Sequence, residues 1–518
     1  MKVLILFFFS LTIQSQSLFK EVAENIKKSI KKFELENGLR VIMLQNPTSP
    51  TLALYGKFKV GSVDETKDLA GTAHLLEHML FKGTVNIGTK DFKSEKKYYI
   101  LLKETGSELD KLKLKARNYS DLKQEIPLEL KNRINILQRR LKSIENKQKE
   151  FIIPSEDTYI YEQHGQVGFN AYTSHDVTNY QIKLPSNRLE IWAKMESDRL
   201  KNPILREYYT ERDVIMEERR MRIENRGMGI LREKFLATAF SFHPYGQPVI
   251  GYDSNIPYLD IYDTEDFFKY HYAPNNMVIT IVGDQNFDET EKIIRKYFSD
   301  LKPSKKKTEL SKVKEHLNKG EKRISFKYPG GSILMMGFNK PNFPHPDNSV
   351  FDIIDRLLSG GISSRLYKRL VIKEKLALSI DAWNSDPGER YSNLFTIYSQ
   401  INSDADIKKF EEIIWEEIEN LKQGKISEEE LKIVKNKLTS EFLREIDSNA
   451  TLADQLSYYE LLTNNWEDLF NSYEKLETIT LEDIQRVSKE YLTKENLTVG
   501  YLEGQSSSPK TKNLPTKK

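Results

Sequence analysis

Thr264–Asp284 reads TEDFFKYHYAPNNMVITIVGD, and Leu481–Gly504 reads LEDIQRVSKEYLTKENLTVGYLEG. Each stretch runs from an amphipathic helix through a tyrosine and an asparagine into a strand that closes on glycine. A second pair echoes in the same way: Leu52–Gly83 and Ile333–Gly361 both read strand, loop, helix, glycine. Two echoes in one order predict a tandem duplication of an α+β unit. In this register His74-Leu-Leu-Glu77-His78 falls on Asp352-Ile-Ile-Asp355-Arg356, so the first copy alone keeps chemically active side chains. The boundaries expected from this are a first domain over 28–301, a polar linker over 302–322, a second domain over 323–504 and a disordered Ser/Lys/Thr/Pro tail over 505–518.

Around these echoes the local signals are clear. Phe33–Gln45 reads as a strand, an Asn-Gly turn and a second strand. Leu52–Val60 continues as a strand, and Leu69–Phe81 turns helical. Residues 92–150 are dominated by Lys, Glu and Leu and divided by Pro127, which predicts an antiparallel helical hairpin with a thin leucine seam. It reads as a solvated outgrowth or as a partner-binding arm. At the start, Lys2, the apolar run Val3–Ile13 and Ser15-Gln16-Ser17 read as an export signal over 1–17. The competing reading is a buried strand or a retained anchor. No later run approaches the eighteen apolar residues of a membrane span. The expectation is a protein exported to the periplasm.

Composition narrows the chemistry. The 518 residues allow about two to four domains. With 79 basic and 76 acidic residues the net charge is +3, which argues against a nucleic-acid partner. The absence of cysteine excludes thiolate zinc sites, iron–sulfur clusters, disulfide frameworks and thiol catalysis. Any metal must be held by His, Asp or Glu.

The strongest chemical signal is GTAHLLEHMLFKGT over Gly71–Thr84. Residues four apart on a helix are displaced by about 40°, so His74 and His78 face the same way and can share a zinc ion, with Glu77 on the flank of that face. Leu75, Leu76, Met79 and Leu80 cover the remainder, which predicts a buried helix. Two core-edge histidines beside a surface glutamate are the bland alternative. A catalytic zinc needs a third protein ligand. The best source is Glu211-Arg-Asp-Val-Ile-Met-Glu217-Glu218, where Glu211 and Glu218 lie two turns apart on one face. One can bind the metal while the other orients a histidine. Taken alone, such a run is more often a solvated helix face. The remaining histidines, His164, His175, His243, His271, His316 and His345, lack close pairing and read as structural rather than ligating. For His243 in HPYG, a loop residue near the site, substrate contact is the alternative.

Together with GFNAYTSHDVTNY (Gly168–Tyr180), ERDVIMEE (Glu211–Glu218), HPYGQPVIGY (His243–Tyr252) and the IVGD strand, the motif resembles the pitrilysin/insulinase family. These are the inverted-motif zinc metallopeptidases, which include the mitochondrial processing peptidase. The resemblance spans about Phe33 to Gly504. It implies two homologous α/β-roll domains enclosing a chamber, with His74, His78 and Glu218 as ligands of Zn2+, Glu77 as general base and Glu211 as the supporting acid. The choice between Glu217 and Glu218 is favoured to Glu218 by the seven-residue step from Glu211. Asn170, Ala171, Tyr172 and Thr173 resemble the family's edge strand that receives an extended peptide, a mode of binding largely independent of sequence. The 140 residues between His78 and Glu218 exceed the usual spacing, and the 92–150 insert accounts for the excess.

One departure stands out. Self-sufficient relatives carry an arginine and a tyrosine seven apart in the second half, after S-R-L-Y. Here Ser364-Arg365-Leu366-Tyr367 is followed by Val371 and Leu378 in those places. The resemblance then implies a heterodimer with a paralogous, metal-free subunit that supplies the arginine and tyrosine. Competing readings are a homodimer, or Tyr367 or Arg369 filling the role. Two rival functions are a non-catalytic core subunit of the same fold and a peptide-binding protein that uses the hairpin.

Overall fold

The computed structural model describes residues 19–305, 312–315, 319–402 and 405–505. The expected signal over 1–17 and the tail from 506 on lie outside them. Gln505, placed in the tail by the sequence, ends a strand instead.

The first sheet holds β1 (Ile30–Glu34), β2 (Arg40–Gln45), β3 (Thr51–Phe58), β4 (Val167–Thr173), β5 (Thr178–Pro185) and β6 (Met277–Gly283), in the order β1-β2-β6-β3-β5-β4. The second holds β7 (Lys322–Pro329), β8 (Ser332–Lys340), β9 (Ala377–Asp386), β10 (Asn393–Ile401) and β11 (Leu497–Gln505), in the order β7-β11-β8-β10-β9. Leaving out β1, the two orders match strand for strand, down to the single parallel pair, β2 with β6 and β7 with β11. The duplication read from the echoes is therefore a duplication of topology. Central strands are continuous apolar runs, as strands covered on both faces must be. All seven residues of β6 and all nine of β8 are buried. The edge strand β7 alternates in burial along its length.

The compact units are not the contiguous halves expected over 28–301 and 323–504. One unit comprises the chain up to Arg219, Gln247–Lys312 and Asn436–Glu474; the other comprises Arg220–Gly246, Val313–Lys435 and the chain from Lys475. The cause is the second face of each sheet. In the first unit the helix Thr72–Met79 lies on one face, and Asn449–Thr463, from late in the sequence, packs on β3 and β6. In the second unit Pro346–Ser359 packs on β9, and Gly227–Ala239, from the first half of the sequence, packs on β7, β8 and β11. A sheet that is apolar on both faces requires two covers, and here each sheet takes one from the other half of the chain.

The 92–150 insert is the helical hairpin Phe92–Asp121 and Leu128–Lys149. Leu102, Leu109, Leu137, Leu141 and Ile144 form the buried seam. It is more than an outgrowth. Glu95 and Arg206, both fully buried, pair at 2.8 Å, and Arg212 pairs with Asp110 at 2.6 Å. Gly106, in mid-helix, lies under Tyr209, whose ring would stand 1.9 Å from an added Cβ. The hairpin is thus clamped to the segment that carries Glu211 and Glu218.

Candidate metal centre

The helix Thr72–Met79 begins at Gly71, whose φ of 100° suits glycine and few other residues. Its first turn is held by Glu65, a buried carboxylate that accepts from Gly71 N at 2.9 Å and Ala73 N at 2.6 Å. Burial pushes the Glu65 carboxyl well above its ordinary pKa, with those two hydrogen bonds opposing it. Leu75, Leu76, Met79 and Leu80 are fully or almost fully buried. The opposite side of the helix presents His74 and His78, with ring centroids 4.8 Å apart.

The helix Tyr208–Arg219 brings Glu211 and Glu218 to those rings. Glu218 Oε2 lies 3.8 Å from His74 Nε2 and 3.5 Å from His78 Nε2. Ligands at about 2.0–2.2 Å in a tetrahedron stand about 3.4 Å apart, so this spacing suits one small cation. His74, His78 and Glu218 are the one group of three such side chains, among the described residues, whose ligand atoms come within 4.8 Å of one another. Two imidazoles and a carboxylate match a donor set that zinc sites use.

Glu211 stands one turn further back. Its Oε1 meets His78 Nδ1 at 2.9 Å, which leaves Nε2 directed at Glu218, and its Oε2 meets Lys82 Nζ at 2.7 Å. Burial works against the charge on Glu211, but the bonds to His78 and Lys82 prevail and hold its pKa at about 2. Burial likewise disfavours charge on His78, and Glu211, Glu218 and Glu77 together outweigh it and raise that pKa.

Glu77 points to the edge of the first sheet, where its Oε2 accepts from Thr173 Oγ1 at 2.6 Å. β4 carries Asn170, Ala171, Tyr172 and Thr173, and among the described residues it pairs only with β5, which leaves its outer edge open. A cavity of about 340 Å³ adjoins, lined by Glu77, His78, Phe81, Lys82, Asn170 and Glu211 among others. Ile152–Thr158, which follow the hairpin, form another wall of it.

Several residues that shape this site were missed by the sequence reading. Lys82 sits one turn beyond His78 inside the quoted motif and was readable as its neighbour. Glu65 lies six and eight residues before the amides it accepts from, outside any standard helix-cap spacing. Arg206 gave no local signal because it acts on carbonyls far away in sequence. Arg206 donates to the carbonyls of Lys82, Thr84 and Ile87 and so fixes the loop after the motif helix. His243 is not an exposed loop residue. It is 5% exposed, packed against Phe240, Tyr245 and Tyr391, and its Nδ1 accepts from Tyr245 N at 3.2 Å.

The family model described as Insulinase (Peptidase family M16) matches residues 40–107 and 157–253, and that described as Peptidase M16 inactive domain matches 259–438. The chain belongs to the M16, or pitrilysin/insulinase, family. The interruption of the first match falls on the helical hairpin. The second match covers Asp352, Asp355 and Arg356, which the echo register sets against His74, Glu77 and His78. Relatives in this family include the zinc protease PqqE of Helicobacter pylori, 26% identical over 475 residues, with 90% of this chain and 91% of that protein covered. A probable mitochondrial-processing peptidase subunit beta of Arabidopsis thaliana is 22% identical over 487 residues, covering 90% of this chain and 76% of its own. Among solved structures, a protease from Helicobacter pylori superposes with a TM-score of 0.75 at 24% identity over 91% of this chain and 99% of that one. The periplasmic protease PqqL of Escherichia coli superposes with a TM-score of 0.66 at 16% identity, over 92% of this chain and 49% of that one. These structural likenesses establish the M16 fold with its tandem domains. No helix among the described residues is long and apolar enough to cross a membrane.

Proposed function

We propose that this M16 protein is a zinc-dependent metalloendopeptidase that cleaves unstructured peptides or leader segments in the periplasm, as the catalytic subunit of a heterodimer. The observation that carries it is the convergence of His74, His78 and Glu218 around one point, with Glu211 behind His78 and Glu77 lining the adjoining cavity with His78. His74, His78 and Glu218 would hold the zinc. When bound, zinc polarises the scissile carbonyl and lowers the pKa of water towards about 7.

The chain's own residues supply the remainder. Glu211 orients His78 through Nδ1. Glu77, a carboxylate lining that cavity, takes the proton of the attacking water and passes it to the leaving amine. Thr173 steadies that carboxylate by its 2.6 Å hydrogen bond. The open edge of β4, at Asn170–Thr173, offers backbone groups to an extended peptide. Support for zinc also comes from relatives named zinc proteases.

The partner is proposed from what this chain lacks. Val371 and Leu378 cannot donate a hydrogen bond to a developing oxyanion. Arg369 does not substitute for them, because its guanidinium is engaged by Glu416 at 2.6 Å and Glu417 at 2.9 Å. A relative named as a beta subunit fits a divided site. The experiment measures zinc content of the purified chain, then cleavage of an internally quenched peptide with and without a paralogue that carries Arg and Tyr seven apart. The reading expects one zinc per chain and activity that rises at least tenfold with the partner, since one such donor is worth about 10²–10³ in rate. A chain that binds no zinc and remains inert with the partner is a core or peptide-binding subunit instead. Full activity of the lone chain would remove the partner from the proposal.

A further inference from the structure

Asp454 lies far from the motif in sequence, on the helix Asn449–Thr463 that covers the first sheet. Its Oδ1 accepts from two groups, Lys57 Nζ at 2.8 Å and Tyr172 OH at 2.9 Å, and its backbone carbonyl accepts from Lys57 Nζ again at 2.8 Å. Lys57 is completely buried in β3, with Nζ 5.5 Å from the centre of the Tyr458 ring and 5.8 Å from that of Tyr172. A buried ammonium requires a charged partner, and Asp454 is that partner.

The placement of these groups gives the cluster a second consequence. β3 and β4 are not neighbours; β5 lies between them. One carboxylate oxygen therefore ties β4 to β3 across an intervening strand. β4 needs such a tie. It is an edge strand with a single ladder, and that ladder shifts register between Val167 and Asn170. Successive residues of a strand point to opposite faces. Tyr172 reaches Asp454 on one face, while Thr173, next in sequence, holds Glu77 on the other. A displacement of β4 would thus move the proposed peptide-binding edge and the group that steadies Glu77 at once.

We infer that Asp454, with Lys57 and Tyr172, is a positioning cluster that anchors the edge strand β4 for peptide addition beside Glu77. Its kinetic consequence rests on the peptidase reading; the anchoring itself does not. Asp454→Ala strands the buried Lys57 ammonium and destabilises the fold itself, so the decisive variant is Tyr172→Phe. This keeps the ring and the Lys57–Asp454 pair and deletes only the tie to β4. Two measurements are made on the full chain with its zinc and partner. The first is amide exchange across Val167–Thr173. The second is steady-state cleavage of an internally quenched, unstructured peptide. The expected result is amide exchange in β4 that is about two- to tenfold faster, the factor one net hydrogen bond contributes, with exchange in β2 and β6 unchanged. KM rises by a similar factor and kcat falls by no more than that factor, while zinc content stays within twofold. Unchanged exchange in β4 overturns the anchoring, whatever the activity. Faster exchange with unchanged KM also overturns the inference, because the strand then does not receive the peptide. If wild type proves inert with its partner, the peptidase reading has failed, and the exchange measurement still decides whether the cluster anchors β4.

Discussion

Glu211→Gln tests whether the carboxylate behind His78 sets the metal affinity. The substitution keeps the shape and leaves an oxygen for His78 Nδ1, which Glu211 meets at 2.9 Å, but removes the charge that also holds Lys82 at 2.7 Å. A hydrogen bond to a charged acceptor contributes about 1.5–3 kcal/mol and a neutral one about 0.5–1.5. The difference, about 1–1.5 kcal/mol, corresponds to roughly tenfold in zinc affinity, at the lower end of the 10–100-fold range for such supporting groups. Glu218→Gln removes one of the three donors and should cost more. Glu217 points about 100° away on the same helix, so Glu217→Gln should bind within threefold of wild type. The assay is zinc affinity by chelator competition on the three purified variants, with peptide cleavage as a second readout. Unchanged affinity in Glu211→Gln would falsify the supporting role. A larger loss in Glu217→Gln than in Glu218→Gln would place the ligand one residue earlier.

Three further outcomes are expected. Glu77→Gln should retain zinc and fold yet lose about 10²-fold or more in kcat, the scale of general-base catalysis; near-normal turnover of a quenched peptide would exclude Glu77 as the base. Glu95→Ala strands the fully buried Arg206 guanidinium, so the unit holding the metal centre should lose about 3–5 kcal/mol, seen as a lowered unfolding midpoint. Replacing both residues with methionine should not rescue it, because Arg206 also bonds the carbonyls of Lys82, Thr84 and Ile87, and full recovery would contradict that account. Burial holds the His243 pKa down at about 4, against 6.5 when unfolded. Between those values the unfolded chain binds the extra proton, so this contribution is complete above pH 6.5 and is lost as pH falls towards 4. At pH 5 the loss is about 2 kcal/mol. His243→Asn, which keeps an acceptor for Tyr245 N, should flatten that part of the stability profile; an unaltered profile between pH 7 and 5 would exclude His243 as its source.

Much of the site was legible because it is built from short-range helical geometry. His74, Glu77 and His78 lie within two turns, and Glu211 and Glu218 share one face of a second helix, so 3.6 residues per turn settles which side chains are neighbours. The echoes likewise revealed the duplication, since each copy repeats a local pattern of strand, helix and turn, whereas the strand order came only with the structure. The hairpin was legible from composition and Pro127. Its role was not: the contacts of Glu95, Gly106 and Asp110 are made with residues about a hundred positions away.

By itself the sequence determined the duplicated α+β architecture, the pair of histidines and the two candidate acids for a third ligand, all of them patterns within a few turns or strands. The missing donors at Val371 and Leu378 were readable only against the family resemblance. The tertiary structure alone decided which helices cover the second face of each sheet, that Arg206 fixes the loop after the motif helix, and that Asp454 meets Lys57 and Tyr172. Those choices depend on satisfying buried apolar faces and buried charges in three dimensions, and no local periodicity records which distant segment will do so.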